Sequence, residues 1–241
     1  MSDLIKETKQ VVNMPTSNMK LLLEDILDRG VAPNYILDVG ANFGNWTRMA
    51  KEVFPQSVIY MIEPLSEMET YLKKITENFP ETKYFPCGAG RKNENHVITT
   101  WGDNLAEANC VVPENEYLKS INKQRIVPIK TIDSLIENDE IKIPELVKMD
   151  IQGFELEALN GSSKLFGKTE VFILETALFE FTKGRPLLSE IVIFMREKGY
   201  EIYDLCGFLR RPYDGAMAQI DVCFAKHDGI LRNSNAWVKP E

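Results

Sequence analysis

The sequence predicts an α/β fold in which a mostly parallel sheet carries helices on both faces and has an antiparallel strand near the C-terminus. Short apolar runs alternate along the chain with amphipathic helical patterns, which is typical of βα units. The runs are apolar at nearly every position, as expected for strands that are covered on both faces. The last two runs have only a loop between them, and a connection without a helix indicates an antiparallel hairpin.

The chain of 241 residues is long enough for one large domain with a sizeable core. Its 44% hydrophobic and 27% charged residues are ordinary for a globular protein. We predict an N-terminal segment and capping helix over residues 1–34, a main domain over 35–230 and a C-terminal tail over 231–241. The alternation of strands and helices is interrupted at about 91–130, which we interpret as inserted strands and loops.

The net charge of −8 and the pI near 5.1 argue against a surface that neutralises nucleic-acid phosphates. No apolar run approaches the ~18 residues of a membrane span, and the start of the chain lacks the pattern of a signal peptide. We therefore expect a cytoplasmic protein with no nucleic-acid partner and no membrane span. The four cysteines form no CxxC pair, so neither a disulfide framework nor a zinc site is indicated, and we predict no metal.

Each predicted element has a local reason. Apolar residues at helical spacing indicate helices, and Gly30, Pro55 and Gly199 are natural stops for three of them. Ser66 and Glu69 form the pattern of a capping box at the start of another helix. The predicted helices are Asn18–Arg29, Trp46–Phe54, the helix after Ser66 and Leu187–Lys198, and the predicted strands are Tyr35–Val39, Val58–Ile62, Lys83–Cys87, His96–Trp101, Ile126–Lys130, Leu146–Met149, Val171–Leu174, Tyr200–Leu205 and Ala218–Ala225.

Glycine and acidic residues follow the first two predicted strands, at the strand ends where parallel sheets bind ligands. The segment from Asp38 to Gly44 forms a strand end, a glycine turn and the start of a helix whose free N–H groups can meet a polar ligand. Glu63 ends the second strand, 25 residues after Asp38, where a carboxylate can accept both hydrogen bonds of a ribose diol. Together these features predict a nucleoside cofactor that is held by Asp38, Gly40, Ala41, Asn42, Gly44, Glu63 and, after the third strand, Gly88.

The glycine spacing distinguishes between nucleoside cofactors. A dinucleotide fingerprint has three glycines, Gly-x-Gly-x-x-Gly, that admit a pyrophosphate, whereas this turn has two. S-adenosylmethionine needs no diphosphate cradle, and Asp38 can face its ammonium group directly or through water, while a carboxylate there would repel a pyrophosphate. S-adenosylmethionine is therefore the predicted cofactor, and a nicotinamide-dependent oxidoreductase is the alternative.

Three segments, in this order and at this spacing, resemble the FkbM family of S-adenosylmethionine-dependent methyltransferases. They are Asp38–Gly44, Thr131–Leu135 and Val147–Glu155 followed by Gly161, and the resemblance runs from about Tyr35 to Lys226. The resemblance implies the class I methyltransferase fold, a Rossmann-like sheet of seven strands, and methylation of a hydroxyl group on a sugar or secondary metabolite. Gln152 departs from the family pattern, which commonly has Glu there.

Asp150 is the predicted catalytic residue because it ends the fourth strand beside the expected position of the methyl group, where it can orient the acceptor hydroxyl or take its proton. The alternative is that Asp150 caps the following helix. The predicted acceptor-binding residues lie in the insertion and in the late loop, where ordinary loop packing is the alternative. They are Trp101, Asp103, Asn104 and Arg210.

The sequence therefore predicts an S-adenosylmethionine-dependent O-methyltransferase that acts by direct displacement on a small-molecule or glycan acceptor. Most of the rate acceleration would come from positioning of the attacking oxygen. A non-catalytic protein that binds a cofactor or a partner is the other alternative, because Gln152 departs from the family pattern and the sequence shows no compelling catalytic base. The sequence leaves the oligomeric state open.

Overall fold

The computed structural model describes residues 18–100, 108–109 and 114–238. Within them the helices are α1 Met19–Asp28, α2 Asn45–Val53, α3 Glu69–Asn78, α4 Glu116–Ser120, α5 Ile132–Glu137, α6 Glu155–Asn160 and α7 Leu188–Glu197. The strands are β1 Tyr35–Val39, β2 Val58–Ile62, β3 Thr82–Phe85, β4 Gly88–Ala89, β5 Glu94–Thr100, β6 Ala108–Asn109, β7 Gln124–Lys130, β8 Leu146–Met149, β9 Val171–Ala177, β10 Tyr200–Arg210 and β11 Met217–Lys226.

The main sheet has the order β10-β11-β9-β8-β1-β2-β3 in the described chain. The pairs from β9 through β3 are parallel, whereas β11 pairs antiparallel with both β9 and β10. Strand order reverses beside β1, because the chain moves outward through β2 and β3 and then returns to β8 on the other side. The predicted fold class is confirmed, and the switch point lies between β1 and β8, where open α/β sheets bind their ligands.

Helices cover both faces of the main sheet. Alternate residues of a strand point to opposite faces, so Leu37 belongs to one apolar cluster and its neighbour Ile36 to another. Buried residues of α5, α6 and α7 complete the first cluster, and those of α1 and α2 complete the second. Because each fully buried aliphatic side chain contributes roughly 1.5–3 kcal/mol, these clusters stabilise the strand ends that carry the candidate site.

The insertion forms a second, smaller sheet with the order β4-β7-β5-β6. The predicted pair of inserted strands is confirmed, since β5 and β7 pair antiparallel. The predicted third strand, Lys83–Cys87, is shifted: β3 ends at Phe85, and Gly88–Ala89 pairs with β7 in the second sheet instead. Helices α4 and α5 were not among the predicted elements. Ile98, Val127 and Ile129 of the second sheet pack with residues of α3 in a third apolar cluster.

The starts of α1 and α3 differ in how they are capped. Asn18 caps α1, because its Oδ1 accepts the N–H of Leu21 at 3.1 Å. The predicted capping box at Ser66 and Glu69 is wrong, because Ser66–Met68 is a 3-10 turn and α3 begins only at Glu69, with no side-chain cap. The hydroxyl of Ser66 instead lies 3.4 Å from the carboxylate of Glu67. No helix in the described part of the chain has both the length and the apolar character needed to cross a membrane.

Candidate active site

The turn between β1 and α2 is held by hydrogen bonds to the end of β2. The N–H groups of Gly40 and Ala41 both donate to the carbonyl of Ile62, at 2.9 and 3.1 Å. The N–H of Asn42 donates to Oε2 of Glu63 at 2.9 Å, and that of Gly44 donates to the carbonyl of Ala41 at 2.7 Å. These four N–H groups of the turn are thus used within the protein. The sequence predicted that free N–H groups at the start of the following helix meet a polar ligand, and this remains a prediction for the first residues of α2.

Gly40 and Gly44 are needed for packing as well as for backbone conformation. Their φ values of +81° and +73° lie in the left-handed region, which disfavours residues with a Cβ. A Cβ on Gly40 would lie 2.0 Å from the carbonyl oxygen of Asp150, and one on Gly44 would lie 2.0 Å from Cδ1 of Ile75. Gly40 thus joins the ends of β1 and β8 closely, and Gly44 lets α2 approach α3.

One cavity lies over this turn, at the carboxyl ends of β1, β2 and β8. The predicted residues that line it are Gly40, Asn42, Glu63, Gly88 and Asp150. Apolar residues form much of the remaining wall, and they come from both the main sheet and the second sheet. They are Val39, Ile62, Leu65, Ala89, Ile98, Ile129, Ile151 and Phe154.

Glu63 is 4% exposed and faces this cavity from the end of β2. Its Oε1 accepts the N–H of Leu65 at 2.9 Å, while its Oε2 accepts that of Asn42. Burial raises the pKa of Glu63 to about 7, although the two N–H groups act to lower it. Because each carboxylate oxygen has two lone pairs, Glu63 can hold the turn and still accept hydrogen bonds from a diol.

Asp38, Ala41 and Gly44 do not line the cavity. Asp38 is fully buried beneath it, where its Oδ2 accepts the hydroxyl of Thr47 at 2.6 Å, and its strand partner in β8 is Lys148. Burial raises the pKa of Asp38, against the charge of Lys148. Oδ1 of Asp38 has no hydrogen-bond partner among the described residues. The contact of Asp38 with a ligand's ammonium group, directly or through water, remains a prediction, as do the parts of Ala41 and Gly44 in cofactor binding.

Asp150 follows β8, and 33% of its side chain is exposed at the cavity. Its Oδ2 lies 3.1 Å from Nζ of Lys148, and its Oδ1 accepts from Nε2 of Gln152 at 2.9 Å. Burial acts to raise the pKa of Asp150, but Lys148 and Gln152 outweigh burial and hold the pKa below its usual range.

The helix-capping alternative for Asp150 finds no support in these contacts. Glu155, at the first position of α6, accepts the N–H groups of Ile151 and Gly153 with its Oε1, at 3.1 and 3.2 Å. Glu155 therefore holds the loop that leads into α6, which leaves the carboxylate of Asp150 directed to the cavity and its two side-chain partners.

Several charged residues of the site were not singled out from the sequence. Arg185 donates to Oε2 of Glu175 at 3.1 Å, and Asp221 lies opposite Glu175 in the pairing of β9 with β11. Burial raises the pKa of Asp221 to about 6, with Lys148 opposing the rise. Lys148 belongs to a segment that carried the family resemblance, so that segment could have indicated Lys148 as a site residue. Arg185 and Asp221 had no comparable signal, because only strand register and loop geometry bring them to the site.

Of the four predicted acceptor-binding residues, the structure describes only Arg210. Trp101, Asp103 and Asn104 lie outside the described residues. Arg210 lies in β10, where its guanidinium donates to the carbonyl of Gly215 at 2.8 Å, and it lines none of the cavities described for this chain. The structure thus gives Arg210 a role in holding the hairpin loop.

A second cavity of about 630 Å³ adjoins the first, which measures about 130 Å³, and Phe154 lines both. Four glutamates line the second cavity together with His96 and Arg185. The glutamates are Glu94, Glu157, Glu180 and Glu190. Among the described residues, no group of three or more His, Cys, Asp or Glu side chains is arranged to hold a metal ion.

The sheet order and the antiparallel strand beside β9 define the fold of a class I methyltransferase. Residues 38–202 match the sequence model of a family described as the methyltransferase FkbM domain. The chain belongs to this family of methyltransferases, whose methyl donor is S-adenosylmethionine.

Two relatives share about a quarter of their aligned residues with this chain. Methyltransferase 1 of Beauveria bassiana is 24% identical over 144 residues, which are 53% of this chain and 58% of the relative. Hexuronic acid methyltransferase AglP of Haloferax volcanii is 25% identical over 159 residues, 65% of this chain and 60% of the relative. The chain thus spans about 60% of the length of these relatives.

A solved structure of methyltransferase FkbM from Methylobacillus flagellatus aligns with a TM-score of 0.49 and 17% identity. The alignment covers 78% of this chain and 43% of that chain.

The residues of the first cavity fit S-adenosylmethionine in chemical character. The apolar wall has the character that an adenine ring requires, and the carboxylate of Glu63 is of the kind that can accept hydrogen bonds from a ribose diol. A Cβ on Gly88 would lie 2.6 Å from Cδ1 of Ile129, so the cavity wall at Gly88 has no room for a side chain. Within the described residues the cavity thus combines an apolar surface with one buried carboxylate, which a nucleoside requires.

Proposed function

We propose that this domain transfers a methyl group from S-adenosylmethionine to a hydroxyl oxygen of a sugar or secondary metabolite by direct displacement. The observation that carries the proposal is that Glu63 and Asp150 line one cavity from neighbouring parts of the sheet. Glu63 is placed to hold the cofactor, and Asp150 is placed to receive the acceptor hydroxyl. S-adenosylmethionine supplies an electrophilic methyl group, so the protein has to bring an oxygen into line with it.

Asp150 orients the attacking hydroxyl in this proposal. An ionised carboxylate accepts hydrogen bonds and donates none, so it directs the O–H hydrogen toward itself and an oxygen lone pair away from itself. Its low pKa, which Lys148 and Gln152 maintain, keeps it ionised over the physiological range. The hydroxyl proton would pass to Asp150 as the oxygen takes the methyl group and the bond between that methyl group and the sulfur of the donor breaks.

A nicotinamide-dependent oxidoreductase fits the turn less well. A pyrophosphate is bound by backbone N–H groups at a helix N-terminus. Here the N–H groups of Gly40, Ala41, Asn42 and Gly44 donate to protein oxygens. A carboxylate beneath the turn, Asp38, would also repel a diphosphate.

The second cavity is the proposed place of the acceptor, because it is roomier than the first and Phe154 connects the two. One relative is named a hexuronic acid methyltransferase, which supports a sugar acceptor. Four glutamates line the cavity here, and they favour a neutral sugar over a uronic acid because like charges repel. We therefore propose a neutral hydroxyl compound of sugar size as the acceptor.

The deciding experiment has two parts. Calorimetry with S-adenosylhomocysteine and with NAD, on the same protein preparation, separates the two classes of enzyme. We expect binding of S-adenosylhomocysteine and none of NAD. Transfer of an isotopically labelled methyl group to neutral hexosides then tests for catalysis. Binding of the cofactor without transfer to any hydroxyl compound would support the non-catalytic alternative.

A further inference from the structure

Gln152 joins two carboxyl groups that lie at the ends of neighbouring strands. Its Nε2 donates to Oδ1 of Asp150 at 2.9 Å and to Oε2 of Glu175 at 3.0 Å. The φ of Gln152 is +55°, a conformation that residues with a Cβ adopt rarely and that is often found at functional sites. The side-chain amide can make both bonds only through its nitrogen, because its oxygen cannot donate to a carboxylate.

The two carboxyl groups thus accept hydrogen bonds from the same nitrogen atom, Nε2 of Gln152. Two carboxylates that share one site repel each other, and this repulsion favours a proton on one of them. Lys148 contacts Asp150, whereas Arg185 and Gln152 both donate to the same oxygen of Glu175, Oε2. Oε1 of Glu175 is therefore left to carry the proton.

The charges around Asp150 and Glu175 also favour an ionised Asp150 beside a protonated Glu175. Burial and the neighbouring charge of Asp150 raise the pKa of Glu175 well above its usual range, while Lys148 keeps that of Asp150 low. The charged groups that act on Asp150 from the surrounding elements are Lys148, Asp38, Glu63, Glu175 and Asp221.

We propose that Gln152 is a positioning residue for Asp150: its amide, with one hydrogen on each carboxyl group, keeps the charge on Asp150 and the proton on Glu175. A glutamate at this position would bring a third carboxyl group and would compete for that proton. The inference rests on the proposed function only through the role of Asp150 at the acceptor. It also gives a chemical consequence to the presence of Gln152 where the family commonly has Glu.

The test is a pH titration of the Asp150 carboxyl group in the full, cofactor-free chain. The titration is monitored by NMR of protein with ¹³C-labelled aspartate carboxyl groups. The resonance is assigned by its absence from Asp150→Asn. Gln152→Glu should raise the titration midpoint of Asp150, because it replaces a donor by a carboxyl group. Gln152→Met, which only removes the donor, should raise it by less. The exposed Gln56→Glu is the control and should leave the midpoint unchanged.

Unchanged midpoints in both Gln152 variants would overturn the inference. If neither variant folds, Glu175→Gln tests the pair from its other side and keeps Gln152 in place. Because Glu175 is already protonated at the pH where Asp150 titrates, the neutral amide should leave the midpoint of Asp150 close to that of the wild type. A clear fall of the midpoint would show that Glu175 carried a negative charge and would overturn the inference. With an acceptor in hand, the acidic limb of the pH–turnover profile should move with the Asp150 midpoint.

The titration separates this inference from the proposed function. Calorimetry of the wild-type protein with S-adenosylhomocysteine tests the cofactor site and involves neither Gln152 nor an acceptor. A failure to bind S-adenosylhomocysteine would defeat the proposed function, whereas the shift of the Asp150 midpoint would still be measured.

Discussion

Glu63 both shapes the turn after β1 and faces the cavity, and its burial sets its ionisation. The carboxyl group is 4% exposed and accepts two backbone N–H groups. Glu63→Gln keeps the size of the side chain, but it loses the charge and one of the two oxygens that accept backbone N–H groups. A hydrogen bond to a charged group is worth about 1.5–3 kcal/mol, so we expect binding of S-adenosylhomocysteine to weaken by about 10- to 100-fold. Calorimetry measures this change, and an unchanged dissociation constant would contradict the contact with the ribose.

The same variant tests the raised pKa of Glu63, which is about 7 in the folded chain against an ordinary value of 4.5. Because the folded state holds the proton more tightly, the stabilisation is complete below pH 4.5 and is lost as the pH rises to 7. Glu63→Gln cannot titrate. We therefore expect its Tm to rise relative to that of the wild type between pH 5 and pH 8. A constant Tm difference would show that Glu63 titrates normally in the fold.

Asp150→Asn tests the acceptor side of the site. The variant retains nearly the same shape but cannot take a proton, and general-base or orienting groups contribute about 10²- to 10⁴-fold to turnover. We expect a loss of that size on a true acceptor, with little change in the dissociation constant of S-adenosylhomocysteine. Turnover close to that of the wild type would remove Asp150 from the reaction. A parallel loss of cofactor affinity would place Asp150 at the cofactor instead.

Among the elements, strands with many consecutive apolar residues were predictable from the sequence. Strand pairings between residues far apart in the sequence were not. The runs that became β1, β2 and β8 carry their own signal, since their apolar residues are contiguous. Gly88 and Ala89 have none, because they become β4 only by pairing with Ile129 and Lys130. The same reason explains the site: Glu63 and Asp150 follow predictable strands, whereas Asp221 reaches it through the register between β9 and β11.

The turn after β1 depends on the contact between Gly40 and the carbonyl of Asp150. A side chain on Gly40 would strike the backbone at the end of β8, so the fold itself depends on this glycine. Gly40→Ala should therefore destabilise the protein more than Gly167→Ala, whose φ of +79° is similar but whose Cβ would meet nothing within 4 Å.

Strain at positive φ costs about 1–3 kcal/mol in both variants, and overpacking adds about 1–3 kcal/mol only at Gly40. Chemical denaturation of the two variants measures this difference in the free energy of unfolding. Equal destabilisation would mean that the loop after β8 moves aside without cost.

For the molecule as a whole, negative charge is concentrated where the proposed acceptor binds. The chain carries a net charge of −8, and the second cavity adds four glutamates in one place. Such a field repels anions over roughly a Debye length, about 30 Å at 0.01 M salt and about 8 Å at 0.15 M. The composition showed the sign of the net charge, but the concentration of glutamates around one cavity depends on how β5, α6, α7 and the loop before α7 come together.

This field predicts the salt dependence of acceptor choice. A neutral hexoside should be methylated with a higher kcat/KM than the corresponding uronic acid, and the ratio should fall as salt rises from 0.01 to 0.15 M. Glu94→Gln should reduce the ratio at low salt by up to about fivefold, because a unit charge at about 4 Å in water is worth ~1 kcal/mol. Glu77→Gln removes an exposed charge of α3, outside the cavity lining, and should leave the ratio unchanged. Equal kcat/KM values for the two acceptors at 0.01 M salt would show that the acceptor's charged group does not enter this cavity.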